Sequence, residues 1–177
     1  MPVAIELFLD EPGADVVRQI WREISDAAIS AYLASSEVRP HVTLAVGDRV
    51  DAPAVQAVLK DWSVVTSPRD VQFRSVGLTP AEQVNVFLSP IITADLLDLH
   101  AQLHQKVAGL VERSWDRYLP SSWIPHCTLV ERIPPNHVSR TLEIVRNAKL
   151  PLLTRLSEIG LVEFVPLRQV AVFPLTG

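Results

Sequence analysis

The strongest constraint on this chain is that it carries the same passage twice. "RPHVTLAVGDR" around His41 returns as "IPHCTLVERIP" around His126. Each copy is followed, after nearly the same interval, by a second shared passage. "FRSVGLTPAEQVNVFLSP" holds Gly77 and "LSEIGLVEFVPLRQVAVFP" holds Gly160, each followed by leucine and then an apolar run ending in Phe and Pro. Such internal similarity marks a duplicated unit, and a duplicated unit restricts the fold to arrangements in which both copies bury their apolar faces together.

The apolar patterning fills both units in the same way. Val3 to Leu9 reads as a strand stopped by "DEPG", and Val17, Ile20, Trp21, Ile24 and Ala28 recur at helical spacing from about Ala14 to Tyr32. His41 to Val46 is a strand, "DAPAVQAVLKDW" a second amphipathic helix, and Val71 to Leu78 with Val84 to Leu88 a strand pair joined by the turn-rich "TPAEQ". In the second unit Thr93 caps a helix from Ala94 to Val111, with Leu96, Leu99, Leu103, Val107 and Leu110 on one face. "ERSWDRYLPSSWIP" then reads as a loop, His126 to Val130 as a strand, Pro135 to Ala148 as a helix, and Leu156 to Phe164 with Val170 to Phe173 as a closing strand pair. The expected fold is one α+β domain over 1–177. It is bilobal, with pseudo-symmetric, antiparallel-rich sheets, outer helices and a central cleft, the lobes falling near 1–84 and 85–177. Packing about a pseudo-twofold axis would bring His41 and His126 to face one another.

Side chains alternate along a strand, so His41 and Thr43 share one face while Val42 and Leu44 take the other, and His126 and Thr128 stand likewise against Cys127 and Leu129. Two such strands across a cleft offer two imidazoles and two hydroxyls. That set suits phosphodiester chemistry without a metal. One neutral imidazole can take a proton from the attacking oxygen, a protonated one can give a proton to the departing oxygen, and the hydroxyls can hold the phosphate oxygens.

Paired His-x-Thr-Leu motifs, "HVTL" and "HCTL", one per half of a chain of this length, resemble the 2H phosphoesterase superfamily, the 2′-5′ RNA ligase-like and RNA 2′,3′-cyclic phosphodiesterase family. The resemblance implies His41 and His126 as the catalytic pair and Thr43 and Thr128 as phosphate-binding hydroxyls. It adds Arg132, a basic residue soon after the second motif, as a further phosphate ligand. It implies hydrolysis of a 2′,3′-cyclic phosphate or a 2′-5′ linkage on a ribonucleotide or RNA end, with no metal and no cofactor. A non-catalytic module that binds a nucleotide or RNA end in the same cleft is the alternative.

Other residues admit a chemical and a structural reading. His100 and His104 are four apart on a helix, a spacing that can hold a metal, yet His100 falls inside the leucine face and no third ligand is evident, so packing is favoured. Cys127 is sent by alternation to the apolar side, as a buried thiol rather than a nucleophile. His137 reads as a surface residue and Arg39 as a solvated one. Among Trp115, Tyr118 and Trp123, the last two are the better candidates for stacking on a base.

Charge narrows the partners. With 16 Lys and Arg against 20 Asp and Glu, the net charge of −4 gives no field for long duplex nucleic acid, so the expected partner is a small nucleotide or an RNA end. One cysteine, no signal-like N-terminus and no apolar run of membrane-spanning length point to a cytoplasmic protein without membrane contact, expected to be a monomer.

Overall fold

The structure, a computed structural model, describes residues 2–79 and 81–177, so Met1 and Pro80 of the "TPAEQ" connector lie outside the described residues. Among these residues eight strands and five helices follow in order: β1 Val3–Leu9, α1 Glu11–Asp26, α2 Tyr32–Ser35, β2 His41–Val50, α3 Ala52–Ser63, β3 Arg69–Thr79, β4 Val84–Pro90, α4 Ala94–Lys106, β5 Val111–Ser114, β6 Cys127–Ile133, α5 Val138–Asn147, β7 Leu152–Phe164 and β8 Leu167–Pro174. Short 3₁₀ turns occupy Asp116–Tyr118 and Pro135–His137.

Local chemistry explains where these elements differ from the expected ones. "DEPG" starts a helix rather than ending in a turn, because the Asp10 carboxylate caps α1 by accepting from the Gly13 N–H at 3.1 Å while Pro12 occupies its first turn. That helix stops at Asp26, where Ala28 adopts a left-handed φ of 56°, well short of Tyr32. The long loop before the second motif contains β5, too short and too polar for an alternation signal, which pairs with β2 through Gly47, Arg49 and Val50.

Every strand pair is antiparallel, and the order is β5-β2-β1-β7-β3-β4-β6, with β8 pairing β7. The two expected sheets are thus hydrogen-bonded into one, through Arg69 to Phe73 of β3 on Leu152 to Leu156 of β7. Outward from this join the order is symmetric: β7, β1, β2 on one side and β3, β4, β6 on the other. By position β4 is the counterpart of β1, so the sequence match of β4 with β8 is out of register. β8 instead covers the edge of β7 beyond β3. Each half of the sheet takes strands from both repeats. The sheet is also strongly curved, because β2 and β6 touch although four strands separate them in the ladder.

The two Gly-Leu passages acquire a physical reason in this register. Gly160 lies opposite Glu6 and Gly77 opposite Phe87. A Cβ on Gly77 would sit 2.2 Å from the Phe87 ring, and one on Gly160 would sit 2.5 Å from the Phe8 ring. Each glycine is the space into which an aromatic ring of the neighbouring central strand lies. Gly77→Ala and Gly160→Ala should therefore each cost about 1–3 kcal/mol by overpacking, measured by denaturant unfolding, and Gly77→Ala should also displace the ring that packs on His126.

Candidate active site

Both motifs lie where their strands leave the regular ladder. On β1, Ile5 pairs with Ala45 but Glu6 with Thr43, which leaves Leu44 as an extra residue; on β4, Val86 pairs with Val130 but Phe87 with Thr128, which leaves Leu129. These are β-bulges at equivalent places, and a bulge frees carbonyls that must find other donors. The Trp123 indole donates to the Thr43 carbonyl at 2.9 Å, and His100 and His104 reach the Leu44 carbonyl from Nε2 at 2.8 and 3.1 Å. On the other side the Trp21 indole donates to the Thr128 carbonyl at 3.0 Å. The helix of each repeat therefore holds the histidine strand of the other.

The imidazoles are set by one shared device. His41 Nδ1 lies 2.7 Å from the Arg39 carbonyl and His126 Nδ1 lies 2.7 Å from the Ile124 carbonyl, in each case two residues back. An Nδ1–H donated there leaves Nε2 as the nitrogen open to proton exchange in both. His41 and Thr43 are half-buried, with Val42 and Leu44 buried behind them, and the second motif repeats this with His126 and Thr128 over Cys127 and Leu129. Burial lowers the pKa of His126, and the nearby charge of His41 lowers it further. The Cys127 thiol is fully buried and pushed up to about 12 by that burial, which rules it out as a nucleophile near neutral pH.

A cavity of about 480 Å³ opens over these strands, lined among others by Glu6, Arg39, His41, Thr43, Thr128 and Arg132. His126 is not among the lining residues; it packs against Phe87, ring centroids 4.9 Å apart, one residue from the lining Cys127. Arg132 reaches the cavity from a further bulge. Glu131 and Arg132 stand opposite Asn85, Arg132 takes a left-handed φ of 54°, and its N–H donates to Asn85 Oδ1 at 2.8 Å. Its Nε is held by Gln83 Oε1 at 2.9 Å, which fixes the guanidinium plane.

The aromatic candidates are placed differently from expectation. Trp123 does not line the cavity: its ring is stacked on His100 with centroids 3.9 Å apart, and its indole N–H is committed to Thr43, so it supports the strand and has no free face for a base. Tyr118 does line the cavity, but is mostly buried, with the Arg117 guanidinium over its ring. Trp115 and Phe164, in edge contact at 6.0 Å, form the apolar end of the cavity together with Leu167. Two lining residues carry no signal in the sequence. Glu6 sits in an apolar strand and resembles a solvent-facing position. Arg117 lies in an irregular loop, yet its charge is near enough to lower the pKa of His126. Arg39 is not solvated as expected: it pairs with Glu158 and lies 4.1 Å above the Phe8 ring.

His100 and His104 have the structural role. Both point at one carbonyl, and among the described residues no three His, Cys, Asp or Glu side chains group as a metal site would. Burial pushes the His100 pKa down from 6.5 to about 4, so the folded protein binds this proton less readily than the unfolded chain. Its contribution to stability is full above pH 6.5 and is lost as pH falls toward 4, on the order of 3 kcal/mol across that window. Thermal melts of His100→Gln, which keeps a donor for Leu44 but does not titrate, should show a flatter pH dependence there than the wild type.

Known proteins agree with this arrangement. The family model of the 2′-5′ RNA ligase superfamily matches residues 12–165. Similar folds occur in TT0787 of Thermus thermophilus (TM-score 0.67, 18% identity, 100% of this chain and 99% of that chain covered) and in E. coli LigT complexed with 3′-AMP (0.63, 16%, 100% and 100%). Kluyveromyces marxianus Usb1 with uridine monophosphate is more distant (0.51, 8%, 98% and 97%). No curated protein sequence matches the chain. The mixed α+β fold on one curved antiparallel sheet is also similar to that of a phosphoesterase of known structure (TM-score 0.61, 17% identity, 99% of this chain and 98% of that chain covered). The chain belongs to the 2′-5′ RNA ligase superfamily, the 2H phosphoesterases. Among the described residues, no helix is long and apolar enough to cross a membrane.

Proposed function

We propose that the protein hydrolyses a phosphodiester of a small ribonucleotide or RNA end, a 2′,3′-cyclic phosphate or a 2′-5′ linkage, by acid and base catalysis from His41 and His126. The observation that carries this reading is the equivalence of the two motif strands. Each carries one imidazole, with Nδ1 tied to a carbonyl two residues back, and one threonine two residues on; His41, Thr43 and Thr128 line one cavity, and His126 adjoins it next to the lining Cys127. In the reaction one Nε2 takes a proton from water as its oxygen adds to phosphorus. The other Nε2 gives a proton to the sugar oxygen as its bond to phosphorus breaks. Thr43 and Thr128 hydroxyls donate to the non-bridging oxygens, and Arg132, with Arg117, offsets the charge that gathers on them. A cavity of about 480 Å³ suits a mononucleotide rather than a duplex, in keeping with neighbours crystallised with 3′-AMP, ATP and uridine monophosphate. The base would lie toward Trp115 and Phe164, beside Tyr118.

The test is incubation with 2′,3′-cyclic nucleotides, ADP-ribose cyclic phosphate and 2′-5′ dinucleotides with chelator present, followed by product identification. His41→Ala and His126→Ala should each lower kcat by roughly 10²- to 10⁴-fold with an unchanged circular dichroism spectrum, and chelator should have no effect. Full activity in either variant would sink the mechanism. Thr43→Val and Thr128→Val should raise KM and lower kcat while the histidines still titrate.

A further inference from the structure

Duplication makes the two histidines formally equivalent, and one side chain breaks that equivalence. Through the first motif runs the cross-strand row Thr43, Glu6, Gly160; through the second runs Thr128, Phe87, Gly77. Glu6 and Phe87 therefore occupy the same place in the two halves, each between the motif threonine and a strand glycine. Glu6 is 8% exposed, lines the cavity, and brings Oε1 to 3.4 Å from His41 Nε2. Phe87 presents an apolar ring to His126. The carboxylate of so deeply placed a side chain is stabilised by a partner charge, and the His41 imidazole is the titratable group it faces.

We propose that Glu6 sets the direction of proton flow, holding His41 in its protonated form as the donor to the leaving oxygen and leaving His126, beside Phe87, as the base that takes the proton from water. Glu6 is a positioning residue here; it acts through His41. The assignment rests on the phosphodiesterase reading of the site. Water adds to phosphorus, its proton passes to His126 Nε2, the bond from phosphorus to the sugar oxygen breaks, and that oxygen receives the proton of His41 Nε2. Solvent then restores both imidazoles.

The charges around His41 favour this order. Arg39 precedes it and oppositely charged Glu158 of β7 neutralises that guanidinium. Arg117 of the 3₁₀ turn lines the same cavity and opposes a second positive charge, as does His126 across from it. On β6, burial keeps the Cys127 thiol neutral, and Glu131 and Arg132, of opposite charge, line the cavity further along. Glu6 is the one carboxylate within 4.0 Å of the His41 ring among the described residues. Burial holds the Glu6 carboxyl above its ordinary value, and the charges of His41 and Arg39 act against that rise, so a proton on His41 favours the ionised form of Glu6.

The experiment is an imidazole ¹⁵N NMR titration of the ligand-free wild type, Glu6→Gln and Glu6→Asp. His41 should keep its proton to higher pH than His126 in the wild type and in Glu6→Asp. In Glu6→Gln the His41 titration should move to lower pH while that of His126 stays or rises slightly. A wild type in which His126 keeps its proton longer, or a His41 titration unmoved by Glu6→Gln, would overturn the assignment. Should Glu6→Gln not fold, the wild-type order and its retention in Glu6→Asp decide. With a 2′,3′-cyclic nucleotide, Glu6→Gln should shift the alkaline limb of the kcat/KM profile to lower pH and leave the acid limb in place. A wild type inactive on every phosphodiester would count against the function proposed above, whereas the titration, which needs no substrate, judges the role of Glu6 by itself.

Discussion

The site depends on what happens to a few backbone carbonyls. Each motif strand carries a bulge beside its threonine, and the carbonyls freed there would be costly if left unpaired under the core. Trp21 supplies one donor, and Trp123, His100 and His104 supply the others. Trp21 belongs to the helix of the first repeat and serves the strand of the second; His100 and His104 belong to the helix of the second and serve the strand of the first. The geometry of each half of the site is thus enforced by the other half of the chain. Strand exchange does the same at the level of the sheet, since β7 pairs with β1 and β3 with β4 on either side of the central join.

This interlocking accounts for the curvature that the chemistry requires. A flat sheet would leave β2 and β6 at opposite ends of the ladder. Bulges increase local twist, and the indole and imidazole donors draw each motif strand toward the opposing helix, so the two strands meet over one cavity. His41, Thr43 and Thr128 lie on the cavity side, while the residue after each threonine stays in the core. The residues proposed to hold a phosphate come from strands far apart in the sheet order, so they would approach a phosphorus from two sides.

Duplication supplies equivalence, and catalysis by an acid and a base requires inequivalence. A single position, Glu6 against Phe87, supplies it: a carboxylate faces one imidazole and an apolar ring the other. Glycines 160 and 77 lie across the ladder from that position in both halves, where the Phe8 and Phe87 rings fill the space of their missing side chains. The backbone symmetry can therefore remain intact while the electrostatics differ.

Much of this was legible in the linear chain because it is local or periodic. The repeat, the helices α1 and α4, the strands bearing His41, Thr43, His126 and Thr128, the inward turn of Cys127 and the packing role of His100 all follow from spacing of two or of three and four residues. Arg132 was marked only by its place after a motif. Other features were invisible for one physical reason: they depend on which residue lies across a hydrogen-bonded ladder. Register alone made Glu6 a neighbour of His41, matched it with Phe87, took Trp123 away from the cavity to the Thr43 carbonyl, and brought Trp115 and Arg117 to its wall. The sequence by itself determined the two-unit plan and the residues of the paired motifs. Tertiary structure decided that the units exchange strands and helices and that the two histidines stand in unlike surroundings, because cross-strand pairing joins residues whose separation along the chain carries no periodic signal.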